Sequence, residues 1–249
     1  MYYEAVLAFA FLSIVVDSAK LPANFPVCKL IPSELPECFA RAVEETLSIL
    51  TNPVPELGLP SINPIVIERL EFNGGSGNIV LNQKLNDVKI YNMQNTKVTK
   101  ADINIDRNYF NNALYTHLPE MKFEADYEID GKMLVVPIRG SGKMKLQISD
   151  LTTVLRMNGT HEFRKGVEYL KIFSTACSLE PKLVKIQFDN LFNGDKTLGD
   201  NVNKMLNDNW KEVFGEFKSA YEDAIAQYMH SISARVFDRV PLNDLFPQP

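Results

Sequence analysis

Lys122-Phe123-Glu124-Ala125-Asp126-Tyr127-Glu128-Ile129-Asp130-Gly131 alternates between apolar and charged side chains at every step until the glycine. Successive side chains of a strand point to opposite faces, so Phe123, Ala125, Tyr127 and Ile129 share one face, while Glu124, Asp126, Glu128 and Asp130 share the other. This is the signature of a sheet with one face on a core and one in water. Asp130-Gly131 predicts a two-residue hairpin turn. That turn would set Tyr127 opposite Leu134, Ala125 opposite Val136 and Phe123 opposite Ile138, with all six on the apolar face. Beyond Gly140-Ser141-Gly142, read as another turn, Met144, Leu146 and Ile148 alternate with Lys143, Lys145 and Gln147 and continue the pattern.

The same period runs from Ile65 to about Phe188, with further turn signals at Gly74-Gly75-Ser76-Gly77 and Asn158-Gly159, which predicts a long run of antiparallel strands. On either side the period is helical. Phe39, Val43, Leu47 and Leu50 recur at helical spacing within 37–51, ahead of Pro53 and Pro55. From Leu198 through Trp210, Phe214, Phe217 and Tyr221 to Ile232, apolar residues fall three or four apart. One helix of thirty-five to forty residues is predicted, ~50 to 60 Å long, with Gly215 as a bend. A sphere of this chain would be only about 45 Å across. An elongated α+β body therefore follows, in which a strongly curved antiparallel sheet wraps the long C-terminal helix.

The chain has 249 residues, 45% hydrophobic and 23% charged, with a net charge of −5 and no long basic run. Such a composition is globular and disfavours nucleic acid as a partner. The apolar stretch Ala5 to Val16, followed by Asp17-Ser18-Ala19, reads as a secretory signal peptide over 1–19 with cleavage after Ser18 or Ala19, leaving a single domain over 20–249. Twelve residues are too few to span a bilayer. A secreted, extracellular protein is expected, with Cys28 and Cys38 forming a short staple and Cys177 left as a buried free thiol, the favoured reading, or as one half of an intermolecular bridge. Asn158-Gly159-Thr160 is a glycosylation sequon, expected on an exposed turn.

No chemistry-bearing motif stands out. His117, His161 and His230 lie far apart without metal-ligand spacing, and neither a nucleophile elbow nor a phosphate loop is present. No metal, cofactor or catalytic residue is assigned. The row Glu124, Asp126, Glu128 and Asp130 is read as a solvated strand face paired with Lys143 and Lys145 rather than a calcium site. What remains is apolar surface, with Tyr127, Tyr221 and Tyr228 as hydroxyl bearers that are either plain core or polar groups in an apolar lumen.

Several segments together resemble the takeout and haemolymph juvenile hormone binding protein family of secreted insect carriers. They are the Cys28–Cys38 start, Pro55-Glu56-Leu57-Gly58-Leu59-Pro60, the 123–132 and 137–142 segments, Leu191-Phe192-Asn193-Gly194-Asp195-Lys196, Leu206-Asn207-Asp208-Asn209-Trp210-Lys211 and Leu245-Phe246-Pro247. The single cysteine pair is similar to the takeout branch, since the hormone carriers have a second disulfide. The resemblance implies an internal apolar tunnel holding a juvenile hormone, terpenoid or fatty-acid-like lipid. It also implies no enzymatic activity, and for takeout-like members a tie to circadian physiology. The expected lining, drawn from the inward-face pattern, is Phe123, Tyr127, Leu134, Val136, Ile138, Met144 and Leu146 from the sheet and Phe214, Phe217 and Tyr221 from the helix. The alternative is an extracellular interaction module in signalling whose acidic face meets a receptor.

Overall fold

The computed structural model describes residues 18–74, 79–133 and 136–249. Residues 1–17, most of the expected signal peptide, the centre of the first glycine-rich loop, and Leu134 with Val135 lie outside the described residues.

Helix α1 covers Leu35–Ile49, two residues earlier than its apolar spacing predicts. Pro36 sits in its first turn, where a missing N–H leaves no helical hydrogen bond unmade. The disulfide Cys28–Cys38 ties the preceding segment to it, with Cα atoms 5.8 Å apart. Six strands follow: β1 Ile65–Gly74, β2 Ile79–Tyr91, β3 Lys97–Ile105, β4 Tyr109–Met133, β5 Val136–Arg164 and β6 Val167–Phe188. They form one antiparallel sheet in the order β1-β2-β4-β5-β6, with β3 also beside β4. β2 pairs with the 122–133 half of β4 and β3 with the 110–117 half, so the two short strands lie end to end along one long one. α1 packs on β3.

β5 has 29 residues, which drawn straight would reach roughly 95 Å. Such a strand has to coil. Register shifts between Asn86 and Lys89, Val98 and Lys100, and Asn158 and Gly159 supply local bends, and bulges of this kind sharpen a strand's twist.

The β4–β5 hairpin corrects the predicted register. Asp130 and Gly131 pair with Arg139 and Ile138 inside the ladder, which continues to Met133 opposite Val136. Tyr127 therefore faces Gly142, Ala125 faces Met144 and Phe123 faces Leu146. Relative to the expected partners this is a slip of eight residues, from Leu134 to Gly142 for Tyr127. An even slip keeps every side chain on its face, so the inward and outward assignments survive. The glycines serve close approach instead of turning. A Cβ on Gly131 would run into the Val80 carbonyl, and one on Gly142 would lie 2.6 Å from the Asp189 carbonyl. Asn158-Gly159 is likewise inside β5: Asn158 pairs with Asn111 and Ser174 and is half-buried, so the sequon is not on an exposed turn.

The predicted single helix is two: α2 Lys196–Asp208 and α3 Trp210–Phe237. The break is at Asn209 (φ −114°, ψ 26°), whose amide donates to the Met205 carbonyl at 2.9 Å and stops the first helix. Asparagine competes in this way with the backbone for its own hydrogen bonds. Gly215 lies inside α3 and is no break. Leu198, counted in the apolar stripe, is 48% exposed. A short α4, Leu242–Leu245, closes the chain.

Candidate functional site

α3 lies against the inner face of the sheet, touching β6 most closely. Along that face the structure gathers Phe123, Tyr127, Ile138, Met144, Leu146, Phe217 and Tyr221 into one apolar cluster, together with Leu81, Leu85 and Phe188. Phe214 belongs to the adjoining cluster with Leu118, Leu151 and Val184, which Tyr221 also touches. Val136 does not join: it sits at the far end of the β4–β5 hairpin and is 37% exposed. Alternation predicts its face correctly but not that the hairpin outruns the core. Leu134 lies outside the described residues.

Two tyrosines that look alike in sequence are used differently. The Tyr127 hydroxyl donates to the Asp189 carbonyl at 2.5 Å, and its ring meets Phe188 edge-on at 4.8 Å. It is 2% exposed, and burial pushes its ionisation up to about 12. Tyr127 is thus a tether for the chain leaving β6, its one hydroxyl proton engaged by the backbone. Tyr221 is ringed by Phe72 (5.0 Å, edge-on), Phe214 (5.9 Å) and Phe217 (6.0 Å). Desolvation pushes its hydroxyl up to about 12, against a hydrogen bond with Gln83 that pulls the other way. Protein atoms cover its side chain only in part.

Gln83 was not expected. It is buried between Leu81 and Leu85 on the inner face of β2, so the amide and the Tyr221 hydroxyl form a polar pair in an apolar wall. A polar residue at the apolar phase of a strand is the signal that finds it.

The outward row behaves as a solvated face. Glu124 pairs with Lys145 across β4–β5, and Asp126 pairs with Lys143, with which it forms an ion pair. On the other side Lys89 stands opposite Glu124 and Lys84 opposite Glu128. The histidines are engaged one by one: His117 with Asp150 at 3.2 Å, His161 with Glu168 at 2.6 Å and His230 with Thr175 at 3.0 Å. Among the described residues no group of His, Cys, Asp or Glu is placed to hold a metal ion, and no helix is long and apolar enough to cross a membrane. Cys177 has no disulfide partner among the described residues, and burial pushes its thiol up to about 12.

An open hollow of about 580 Å³ crosses β4, β5 and β6 where Phe123, Leu146 and Ile186 line up, beside Asn207 of α2 and the exposed Lys122 and Lys145. A second, of about 280 Å³, lies at the other end, bordered by Val167, Leu242 and Phe246.

The family model for haemolymph juvenile hormone binding protein matches residues 5–247. The circadian clock-controlled protein daywake of Drosophila melanogaster is 24% identical over 253 residues, covering 99% of this chain and 96% of that protein. The daywake protein of Drosophila yakuba is 23% identical over 238 residues, covering 93% and 90%. The crystal structure of Epiphyas postvittana Takeout 1 has the same fold, with a TM-score of 0.78, 23% identity and coverage of 89% of this chain and 99% of that one. A long helix held against a curved antiparallel sheet is the architecture of this group. The chain belongs to the haemolymph juvenile hormone binding protein family.

Proposed function

We propose that the protein is a secreted carrier that holds a small apolar molecule, a terpenoid, juvenile hormone or fatty-acid-like lipid, between the sheet and α3, without catalysing a reaction on it. The observation that carries this reading is the state of the helix's inner stripe. In α3 only Val213, Phe217 and Ala226 are buried. Phe214, Tyr221, Ile225, Tyr228, Met229 and Ile232 all pack against the core clusters, yet each is only partly covered. A helix that simply completes a core buries its apolar stripe. Here the stripe keeps surface that protein atoms do not cover, which a bound apolar molecule would complete. Tyr221 and Cys177 carry the same mark, since both are strongly desolvated and both retain uncovered surface.

Apolar area supplies the driving force. A chain of some fifteen carbons buries on the order of 400 Å², which contributes ~10 kcal/mol before the costs of ordering. The Gln83–Tyr221 pair offers such a molecule one polar contact within the wall. Native mass spectrometry of the secreted protein, followed by organic extraction, tests the reading. A stoichiometric apolar molecule is expected. A mass equal to the bare chain plus any glycan, with no uptake of added terpenoid or fatty acid, would reject it.

A further inference from the structure

We propose that Asn112 is a second polar anchor of the interior, at the end remote from Tyr221, and that it hydrogen-bonds the uncharged oxygen function of the carried molecule: an ester or ketone carbonyl, or an alcohol. The proposal rests on the carrier reading. Asn112 is 5% exposed. Alternation along β4 places it on the inner face between Phe110 and Leu114, both buried. Its partners across the sheet are Ile103 on β3 and Met157 on β5. Neither its Oδ1 nor its Nδ2 has a hydrogen-bonding partner.

An amide stripped of water and left unpaired destabilises the fold, whereas leucine fills nearly the same volume with no such penalty. Asn203 shows what an asparagine of structural purpose looks like in this molecule. It is 6% exposed, and both of its amide atoms bond the backbone of Phe188 at 2.9 Å. Asn112 has the same burial and none of the bonds, so its complement is something other than the chain around it.

The surroundings select the chemistry. The inner-face neighbours across and diagonal to Asn112 are Ala101, Ile103, Ile105, Leu155 and Met157, none of them charged. His230 of α3 is bonded to Thr175, which pairs with Met157, and His161, further along β5, is bonded to Glu168. A carboxylate would meet an amide dipole with no cation beside it, which favours a neutral group. The 280 Å³ hollow lies at this end of the molecule, and Leu242 and Phe246 on its border pack in the same apolar cluster as Phe110 and Leu114.

Delipidated secreted protein is titrated with methyl tetradecanoate and with pentadecane, as wild type and as Asn112→Leu. The expected result is a loss of about tenfold in affinity for the ester, with the alkane bound as well or better. An equal change for both ligands, or none for either, overturns the assignment, and a buried water is then the partner of Asn112. Should Asn112→Leu fail to fold, the carbonyl stretch of isotope-labelled ester bound to wild type decides. A frequency below that in alkane solvent which persists in Gln83→Leu/Tyr221→Phe protein supports the hydrogen bond to Asn112, and an alkane-like frequency, or one lowered only while Gln83 and Tyr221 are present, overturns it. Failure of wild type to bind either ligand rejects the carrier reading itself, a different result from the loss of Asn112's part in it.

Discussion

Asn203 treats Phe188 as a neighbouring strand would: its Oδ1 accepts from the Phe188 N–H and its Nδ2 donates to the Phe188 carbonyl, both at 2.9 Å. One helical turn on, Asn207 does the same for Ile186 at 2.9 and 2.7 Å, and further along the Glu222 carboxylate accepts from Leu179 N–H at 2.8 Å. β6 is the edge of the sheet, and an edge otherwise presents bare donors and acceptors. Replacing Asn203 by Ala leaves the Phe188 N–H without this acceptor and its carbonyl with only the long 3.4 Å bond from Gln187 Nε2. The expected loss is about 2–4 kcal/mol in urea denaturation, larger than for Asn207→Ala, because Asn207 is only half-buried.

Tyr127→Phe removes the bond to Asp189 and little else. A loss of about 1–2 kcal/mol is expected, with the affinity ratio between oxygenated and hydrocarbon ligands unchanged. Tyr221→Phe should move that ratio instead, since its hydroxyl meets Gln83 in the interior. Paired binding isotherms for the two variants check both statements.

Two glycines of equal chemistry should respond in opposite directions to alanine. Around Gly215, inside α3, no atom stands within 4 Å of an added Cβ, so Gly215→Ala should raise stability by about 0.5–1 kcal/mol through helix propensity. At Gly142 the new methyl would press on the Asp189 carbonyl at 2.6 Å, and Gly142→Ala should lower the thermal midpoint. Calorimetry on both variants gives the signs.

Alkaline pH should weaken the fold. Burial raises Cys177 from 9.0 to about 12, and Tyr127 and Tyr221 from 10.0 to about 12. Between those values the unfolded chain has released protons that the native state keeps, so stability falls as pH rises. The contribution of these groups is intact below about pH 9 and disappears progressively towards 12. Urea midpoints across that window should fall, and Cys177→Ala should flatten the first part of the decline.

Ala19 bears on where the expected signal peptide would be cut. It is buried with Leu57, Leu59 and Val240, and its N–H donates to the Arg239 carbonyl at 2.9 Å. A cut after Ser18 keeps this contact, and one after Ala19 discards it. N-terminal sequencing of secreted protein is expected to begin at Ala19. A start at Lys20 would show that the contact plays no part in the mature protein.

Faces proved far more legible than partners. Alternation from Phe123 to Ile129 identified the inner wall of β4, and a mistaken turn at Asp130-Gly131 did no harm to it because the slip was even. Turn chemistry misled at Gly140, Gly142 and Gly159, where glycine admits a crossing chain or an adjacent carbonyl and no turn occurs. Local sequence cannot distinguish those uses, since the atom that needs the room belongs to a distant segment. The break at Asn209 left the apolar spacing untouched and so escaped periodicity. Gln83 and Asn112 were readable as polar residues in apolar phase, but their burial depends on strands that pair only in the folded chain.

The sheet never joins its own ends. β6 is one margin, and β1, with β3 beyond it along β4, is the other; α2 holds β6 through the amides of Asn203 and Asn207, α3 holds it through the Glu222 carboxylate, and α3 meets β1 through Phe72 against Tyr221. In a closed barrel the girth is fixed by strand number and stagger. Here the circumference includes one seam of side chains alone, so the β1 margin can draw away from α3 without breaking a rung of the ladder. For the proposed carrier, such a seam is expected to yield before any rung of the ladder does, which predicts tolerance of cargo of different thickness at constant length.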